Sequence, residues 1–177
     1  MPEHLAVEIV HGDIVEKALP TVRHGTAQVK LGAFADRYFA RKPGGRWPGG
    51  WWIGSEVDVE YEPNELFRHD LSGWRRDRVP DMPIVRPVRI RPDWVCEILS
   101  TNRRRDQVDK LRVLQTAGVP YYWILDPDEK TLTVMRVETQ GYVIALVAAT
   151  GETVRAQPFD AMELRLGTLF GDEDSDE

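Results

Sequence analysis

A glutamate interrupts an otherwise apolar run near the middle of the chain. The run extends from Trp94 to Leu99, and Glu97 is its one charged residue. Such a run is typical of a central β-strand that is covered on both faces. A buried carboxylate needs a cation, a metal ion or a proton beside it, because an unpaired buried charge is costly. Glu97 is therefore the first candidate for chemistry.

A lysine stands in an equally unexpected place on the helix that is predicted to follow. On a wheel of about 3.6 residues per turn, Lys110 falls between Leu114 and Ala117, on the stripe that faces the sheet. Lysine is rarely buried in this way. Because the helix should cross back over the strand of Glu97, we expect the two opposite charges to meet.

A third charged group precedes both of them. Asp70 lies on a strand predicted from Leu66 to Leu71, where it shares a face with Leu66 and Arg68. Two neighbouring carboxylates, Asp70 and Glu97, suit a hard divalent cation such as Mg²⁺ (or Mn²⁺) that keeps several waters. Such a metal ion polarises a phosphate and helps to form hydroxide from water, while a lysine ammonium stabilises charge on phosphate oxygens or orients the water.

A purely structural role is the alternative for the same residues. Glu97 and Lys110 would then form a buried salt bridge, and Asp70 would cap a turn. Structural ion pairs also occupy unexpected positions, so the residue types alone leave both interpretations open.

The elements that must position these groups follow from hydrophobic periodicity and turn residues. The predicted order is an irregular or β-hairpin segment over 1–20, a helix over 21–40, strands over 53–61 and 66–71, a proline-containing loop over 72–91, a strand over 94–99, a helix over 103–117, a strand over 121–125 and a hairpin over 132–148. The strand, helix and strand between 94 and 125 form a βαβ unit with parallel strands. We expect one α/β (α+β) domain over 1–170, with a mixed central sheet flanked by helices, and an acidic disordered tail over 171–177.

Charge and composition limit the class of protein. The net charge is −6, but the last seven residues hold five of the acids, and the stretch 68–112 has 12 basic against 7 acidic residues. This middle stretch can present a positive surface to a polyanion, although on charge alone a scattered basic surface is the preferred explanation. No apolar run reaches the roughly 18 residues of a membrane helix. The lone cysteine, Cys96, cannot form an internal disulfide, so a cytoplasmic location is the default expectation.

The residues around Glu97 and Lys110 resemble a known family. The segments 92–100, 104–106 and 118–127, together with Lys110, resemble the motifs of the Uma-two family, which is grouped with the PD-(D/E)XK nuclease superfamily. In that family the lysine expected two residues after the glutamate is replaced by a lysine of the following helix. Here Leu99 occupies the first position and Lys110 the second.

The upstream acid of the family motif has two candidates. Residues 69–74 resemble the family's Pro-Asp-Leu-Ala-Gly-Trp segment, with His69 in place of the proline, and they put Asp70 27 residues before Glu97. Asp81 belongs to a literal Pro-Asp dipeptide, but it lies only 16 residues before Glu97, in the proline-rich loop. We therefore choose Asp70 over Asp81.

The resemblance implies a restriction-endonuclease-like fold and a metal-dependent endonuclease that acts on DNA. Asp70 and Glu97 would bind the metal ion, Lys110 would assist the attack, and His24 and Arg104 are accessory candidates. A packing or capping role for His24, and a merely solvated position for Arg104, are the alternatives. The alternative function is a catalytically inactive nuclease-fold domain that binds nucleic acid or a protein partner. A membrane partner is not expected, and a homodimer is left open.

Overall fold

A mixed sheet of eight strands organises residues 6–172, which are the residues that the computed structural model describes. Helix α1 and the small helix α3 pack on one face, and a helical segment after β5 covers the other. The elements are β1 (Val7–Val10), β2 (Asp13–Glu16), α1 (Val22–Tyr38), β3 (Trp51–Tyr61), β4 (Glu65–Arg75), β5 (Trp94–Ile98), a π-helical turn (Arg105–Lys110), α2 (Leu111–Ala117), β6 (Tyr121–Asp126), β7 (Thr131–Glu138), β8 (Gly141–Ala149), β9 (Thr153–Val154), β10 (Leu164–Arg165) and α3 (Leu166–Leu169).

The main sheet branches at β4. The strand order is β2-β1-β4-β5-β6-β7-β8, and β3 pairs with β4 from Tyr61 opposite Glu65 to Trp51 opposite Arg75, with one interruption. Strands β1 and β5 must therefore share the other edge of β4. Strand β1 pairs at Leu66, whereas β5 pairs over residues 71–73. Residues 67–70 of β4 lie between these two pairing regions, in a gap that the candidate site uses.

The regular alternation of faces breaks in the middle of β3 and β4. Phe67 belongs to the core beneath α2, whereas Leu71, four residues later, belongs to the core beneath α1. Residues four apart on a regular strand point to the same face, so the alternation changes between these positions. The change falls at Glu56 and Asp70, which would face each other across the ladder but form no pair, and Glu56 has a φ of +54°. The shared face predicted for Leu66, Arg68 and Asp70 is thus interrupted.

Strand β4 is longer than the sequence pattern predicted. The expected loop over 72–91 is wrong at its start, because β4 continues to Arg75 and uses Ser72 and Gly73 to pair with β5. Gly73 lies against the side chains of Ile53, Trp51 and Trp94, which leave no space for a side chain. Ser72 and Gly73, whose small and polar side chains predicted a loop, are here closely packed in the sheet.

The predicted βαβ unit is confirmed. Strands β5 and β6 are parallel, with Trp94 opposite Tyr121 and Ile98 opposite Leu125. The helix between them contains an unpredicted π-helical turn over Arg105–Lys110, and Gly118 ends it with a φ of +70°. Asp106 and Lys110 are both buried on the sheet-facing side of this turn. Such π-helical turns are rare and often occur at functional positions.

Parts of the predicted termini fall outside the described residues. Residues 1–5 of the lead-in and residues 173–177 of the acidic tail are not described. At the described end of the tail, the Asp172 carboxylate accepts hydrogen bonds from Lys130 at 2.7 Å and Thr150 at 2.6 Å. None of the helices within residues 6–172 combines the length and hydrophobicity that crossing a membrane requires.

Replacing Gly73 with alanine tests how tightly β4 packs against its neighbours. The added Cβ would lie 3.0 Å from Ile53 Cδ1, 3.1 Å from Trp51 Cε3 and 3.3 Å from Trp94 Cε3. Both indole rings are buried, so we expect overpacking to lower the free energy of unfolding by about 1–3 kcal/mol in urea titrations. Gly45→Ala is the control, since nothing lies within 4 Å of its Cβ position. Equal stability of the two variants would contradict this account of the packing.

Candidate active site

A small polar pocket opens at the gap beside β4, where β1, β5 and the π-helical turn meet. Its volume of about 20 Å³ is enough for one water-sized occupant. The three residues predicted from the sequence, Asp70, Glu97 and Lys110, all line it. The structure therefore brings these three side chains together at one place, although they lie on three different elements.

The ammonium group of Lys110 is surrounded by carboxylates. Its Nζ lies 2.9 Å from Glu8 Oε1, 3.1 Å from Glu97 Oε1 and 3.3 Å from Asp106 Oδ1. Lys110, Glu97 and Glu8 are each at most 1% exposed. An ammonium has three N–H donors, so three carboxylates can occupy all of them. The expected meeting of Glu97 and Lys110 occurs, within a larger cluster than the sequence predicted.

Asp70 joins the same site from β4. Its Oδ2 accepts a hydrogen bond from the backbone N–H of Ile98 at 2.7 Å, which ties Asp70 to the residue after Glu97. Its Oδ1 lies 2.7 Å from the Nζ of Lys17, which also contacts Glu56 at 3.0 Å. Asp70 thus points along the sheet toward β5, and it forms an ion pair with Lys17.

His24 approaches Asp70 from α1. Its Nε2 lies 3.3 Å from Asp70 Oδ1 without hydrogen-bond geometry, and neither ring nitrogen has a hydrogen-bond partner in residues 6–172. The residue is only 5% exposed, and of its two unsatisfied nitrogens Nε2 is the one beside Asp70. The backbone N–H of His24 donates a hydrogen bond to Thr21 Oγ1 at 3.2 Å, which caps the start of α1. Its ring is therefore not needed for capping and is available to a ligand.

Arg104 and Asp81 lie outside the pocket. Arg104 is exposed and lines a separate surface cleft of about 510 Å³. Its neighbour Arg105 reaches the site instead, where it contacts Glu8 Oε2 at 3.4 Å. Asp81 is an exposed residue of the loop after β4. Of the two candidate upstream acids, Asp70 therefore lines the pocket and Asp81 does not.

Four residues of the site were missed by sequence reasoning, namely Glu8, Lys17, His69 and Asp106. Glu8 stands between apolar residues of β1, a signal similar to that of Glu97. Asp106 precedes Lys110 by four residues, which is ordinary helical spacing. Lys17 reaches Asp70 across 53 residues of sequence, and no local pattern marks it.

Burial dominates the protonation behaviour of the cluster. Burial raises the pKa of Glu97 to about 8, with Asp70 and Glu8 adding to the rise and Lys110 opposing it. Burial likewise raises the pKa of Asp106 to about 7. Burial lowers the pKa of Lys110, but the attraction of Glu97, Asp106 and Glu8 outweighs it, and the net pKa lies above the usual range. The acids outnumber the ammonium they surround, so the site favours an additional positive charge or a proton.

Comparisons with known proteins agree with the motif and the fold. The model of the Uma2 family, described as "Putative restriction endonuclease", matches residues 1–167. The chain belongs to the Uma2 family. A crystal structure of a "putative nuclease belonging to DUF820" from Anabaena variabilis ATCC 29413 is 23% identical and has a TM-score of 0.75, covering 97% of this chain and 93% of the other. No curated protein matches the chain.

The family membership confirms the resemblance that was inferred from residues 92–127. The structural likeness confirms the mixed α/β architecture of a nuclease-type fold. At 23% identity it shows the fold alone, so the roles of individual side chains in this Uma2 protein must be argued from its own geometry.

Removing the ammonium of Lys110 from this Uma2 protein should strongly destabilise it. Lys110→Met leaves Glu8, Glu97 and Asp106 buried without their shared partner, so we expect unfolding to require about 3–5 kcal/mol less free energy. Adding Glu8→Gln should restore part of the loss. The control, Lys130→Met, removes an exposed pair with Asp172 and should change stability by at most about 1 kcal/mol. Chemical denaturation measures all three, and a Lys110→Met protein as stable as the control would disprove the central role of this cluster.

Proposed function

We propose that this Uma2 protein is a divalent-metal-dependent endonuclease that hydrolyses DNA phosphodiester bonds. The observation that carries the proposal is the convergence of Asp70, Glu97 and Lys110 in one pocket. The backbone hydrogen bond from Ile98 to Asp70 holds the two acids beside each other. Membership of a family described as restriction endonucleases supports the same reaction class.

The donor groups of the pocket fit a hard cation that keeps most of its water. Within residues 6–172, no three His, Cys, Asp or Glu side chains form a complete metal-binding group. Mg²⁺ is usually held by one or two carboxylates together with substrate phosphates and waters, so a closed protein cage is not required. Asp70 and Glu97 would supply the carboxylates. The unsatisfied Nε2 of His24, beside Asp70 Oδ1, supplies a further donor or a water partner.

The side chains of the site have separate tasks in this proposal. A bound Mg²⁺ or Mn²⁺ supplies Lewis-acid polarisation of phosphate oxygens and promotes deprotonation of water. Lys110, fixed by its carboxylates, orients Glu97 and stabilises negative charge that develops near it. Lys17 is the more accessible ammonium, since its side chain is 13% exposed against 2% for Lys110. It contacts Asp70 and lines the pocket, so we assign it to neutralise an incoming phosphate.

Among the three consecutive arginines 103–105, Arg104 is the one without an ion pair in the described residues, and we expect it to meet a DNA backbone. Arg103 forms an ion pair with Asp126, and Arg105 is held by Glu8 and the Glu16 carbonyl. Arg104 forms no ion pair with any residue of the described range 6–172. It lies beside the pocket, in the cleft that also contains Arg105. Arginines in such positions bind phosphates without reading sequence.

Plasmid cleavage with Mg²⁺ or Mn²⁺ tests the proposed reaction. We expect Asp70→Asn and Glu97→Gln, which keep the shapes of the side chains, to lower the cleavage rate at least about 10²-fold because the cation loses a charged ligand. Asp81→Asn is the matched control and should retain full activity, since Asp81 is exposed and outside the pocket. Circular dichroism verifies that each variant is folded.

The outcomes of this assay separate the competing functions. Loss of activity in Asp81→Asn but not in Asp70→Asn would refute the assignment of the upstream acid. Salt-sensitive DNA binding by the wild-type protein without any metal-dependent cleavage would support the inactive, nucleic-acid-binding alternative.

Arg104→Ala tests whether DNA contacts the surface beside the pocket. Because Arg104 is expected to contact one phosphate, its loss should weaken binding of a labelled DNA duplex and reduce the slope of log K against log salt by about 1. Arg112→Ala, another exposed arginine further along the same helix, should leave the slope unchanged. Fluorescence anisotropy at several salt concentrations measures both. Equal slopes for the two variants would exclude Arg104 from the interface.

A further inference from the structure

A buried histidine connects Glu97 to a tyrosine of the neighbouring strand. His69 Nδ1 lies 2.5 Å from Glu97 Oε1, and His69 Nε2 lies 2.8 Å from the hydroxyl oxygen of Tyr61. His69 is 0% exposed and Tyr61 is 5% exposed. The side chains of Tyr61, His69 and Glu97 thus form a continuous buried row across three strands.

The hydrogen bonds of Tyr61 and Glu97 determine the position of the ring proton. Among residues 6–172, His69 Nε2 is the acceptor within reach of the buried Tyr61 hydroxyl. If Nε2 carried a proton, the hydroxyl proton would lose its acceptor, which is costly in a buried place. The hydroxyl therefore donates to Nε2, and the ring donates from Nδ1 to the carboxylate of Glu97. This arrangement satisfies both nitrogens of a neutral ring.

The same contacts fix how Glu97 faces the pocket. Lys110 and His69 both contact Oε1, at 3.1 and 2.5 Å. Both side chains approach Glu97 most closely at Oε1, and Glu97 lines the pocket. We therefore take Oε2 as the carboxylate oxygen that is available to a cation.

We propose that Tyr61 and His69 are positioning residues that hold Glu97 with Oε2 directed to the divalent cation. This inference rests on the proposed function, because it assigns Glu97 as a metal ligand. Hydrogen-bond partners of ligating groups commonly control metal affinity, and their removal costs about 10–100-fold. Neither residue touches the substrate in this assignment.

The tautomer of His69 is measured without any metal. In protein labelled with ¹⁵N-histidine, long-range ¹H–¹⁵N spectra distinguish a proton on Nδ1 from a proton on Nε2. The His69 signals are assigned by their loss in His69→Asn. We expect the Nδ1–H tautomer in the wild-type protein and a change of this signature in Tyr61→Phe. A proton on Nε2 in the wild-type protein would contradict the hydrogen bonds assigned from Tyr61 to His69 and from His69 to Glu97.

Calorimetric titration with Mn²⁺ tests the effect on Glu97. His69→Leu should weaken Mn²⁺ binding by about 10–100-fold, because the donor to Oε1 is lost. His69→Asn places an amide near the former Nδ1 position and should remain within about 3-fold of the wild-type affinity, while Tyr61→Phe should fall between the two. These differences concern binding alone and do not require DNA cleavage.

A packing control separates positioning from core stability. Phe67 lies against His69, with ring centroids 6.0 Å apart, but has no hydrogen-bonding group for Glu97. Phe67→Leu should lower the melting temperature and leave Mn²⁺ affinity within about 2-fold of the wild-type value. Equal affinity of His69→Leu and the wild-type protein, or an equal loss in Phe67→Leu and His69→Leu, would contradict the positioning role. If the wild-type protein binds no Mn²⁺, the metal site of the proposed function is refuted. The tautomer measurement would still show whether His69 accepts from Tyr61 and donates to Glu97.

Discussion

The burial of one ammonium among three carboxylates is the constraint on which the site depends. Lys110 reaches Glu8 of β1, Glu97 of β5 and Asp106 of its own π-helical turn. In an interior of low dielectric, such a group is stable only when every partner is present. The N-terminal hairpin, the central sheet and the crossover helix are therefore held in register by the same charges that line the pocket. Stability and chemistry share these side chains, so their contributions must be separated by measuring unfolding as well as activity.

The cluster also explains why the pocket suits a cation. The ammonium of Lys110 and the ring of His69 both contact Oε1 of Glu97, and Glu97 lines the pocket. Lys17 meets Asp70 on the other side of the pocket. The acids of the site exceed the positive charge that the two lysines provide, and burial raises the pKa of Glu97 and Asp106. A divalent ion would relieve this excess charge without requiring the carboxylates to take up protons.

Patterns within short stretches of sequence predicted the part of the site that one βαβ unit supplies. Glu97 and Lys110 lie in one βαβ unit, so a strand pattern, a helical wheel and the crossover rule were sufficient to bring them together. Glu8 and Lys17 depend on where the N-terminal hairpin pairs with β4, and this long-range pairing leaves no mark within either segment. The π-helical turn was also not predicted, because hydrophobic spacing does not resolve one extra residue in a turn. The sequence was therefore informative about chemistry within this unit and about Asp70, and it was silent about the contacts of Glu8 and Lys17.

The most instructive failure of the pattern lies at Asp70 itself. On a regular strand, the consecutive residues His69 and Asp70 would point to opposite faces, and only one of them would reach the site. The interrupted alternation at Glu56 and Asp70 lets His69 contact Glu97 while Asp70 turns along the sheet to the backbone of Ile98. Both residues thus act on adjacent positions of β5. Local rules often fail where a protein places functional groups, because the geometry that chemistry needs differs from the geometry that packing prefers. An irregularity that lowers the predictability of β4 is therefore what allows one short segment to supply both an acid and the histidine that orients its neighbour.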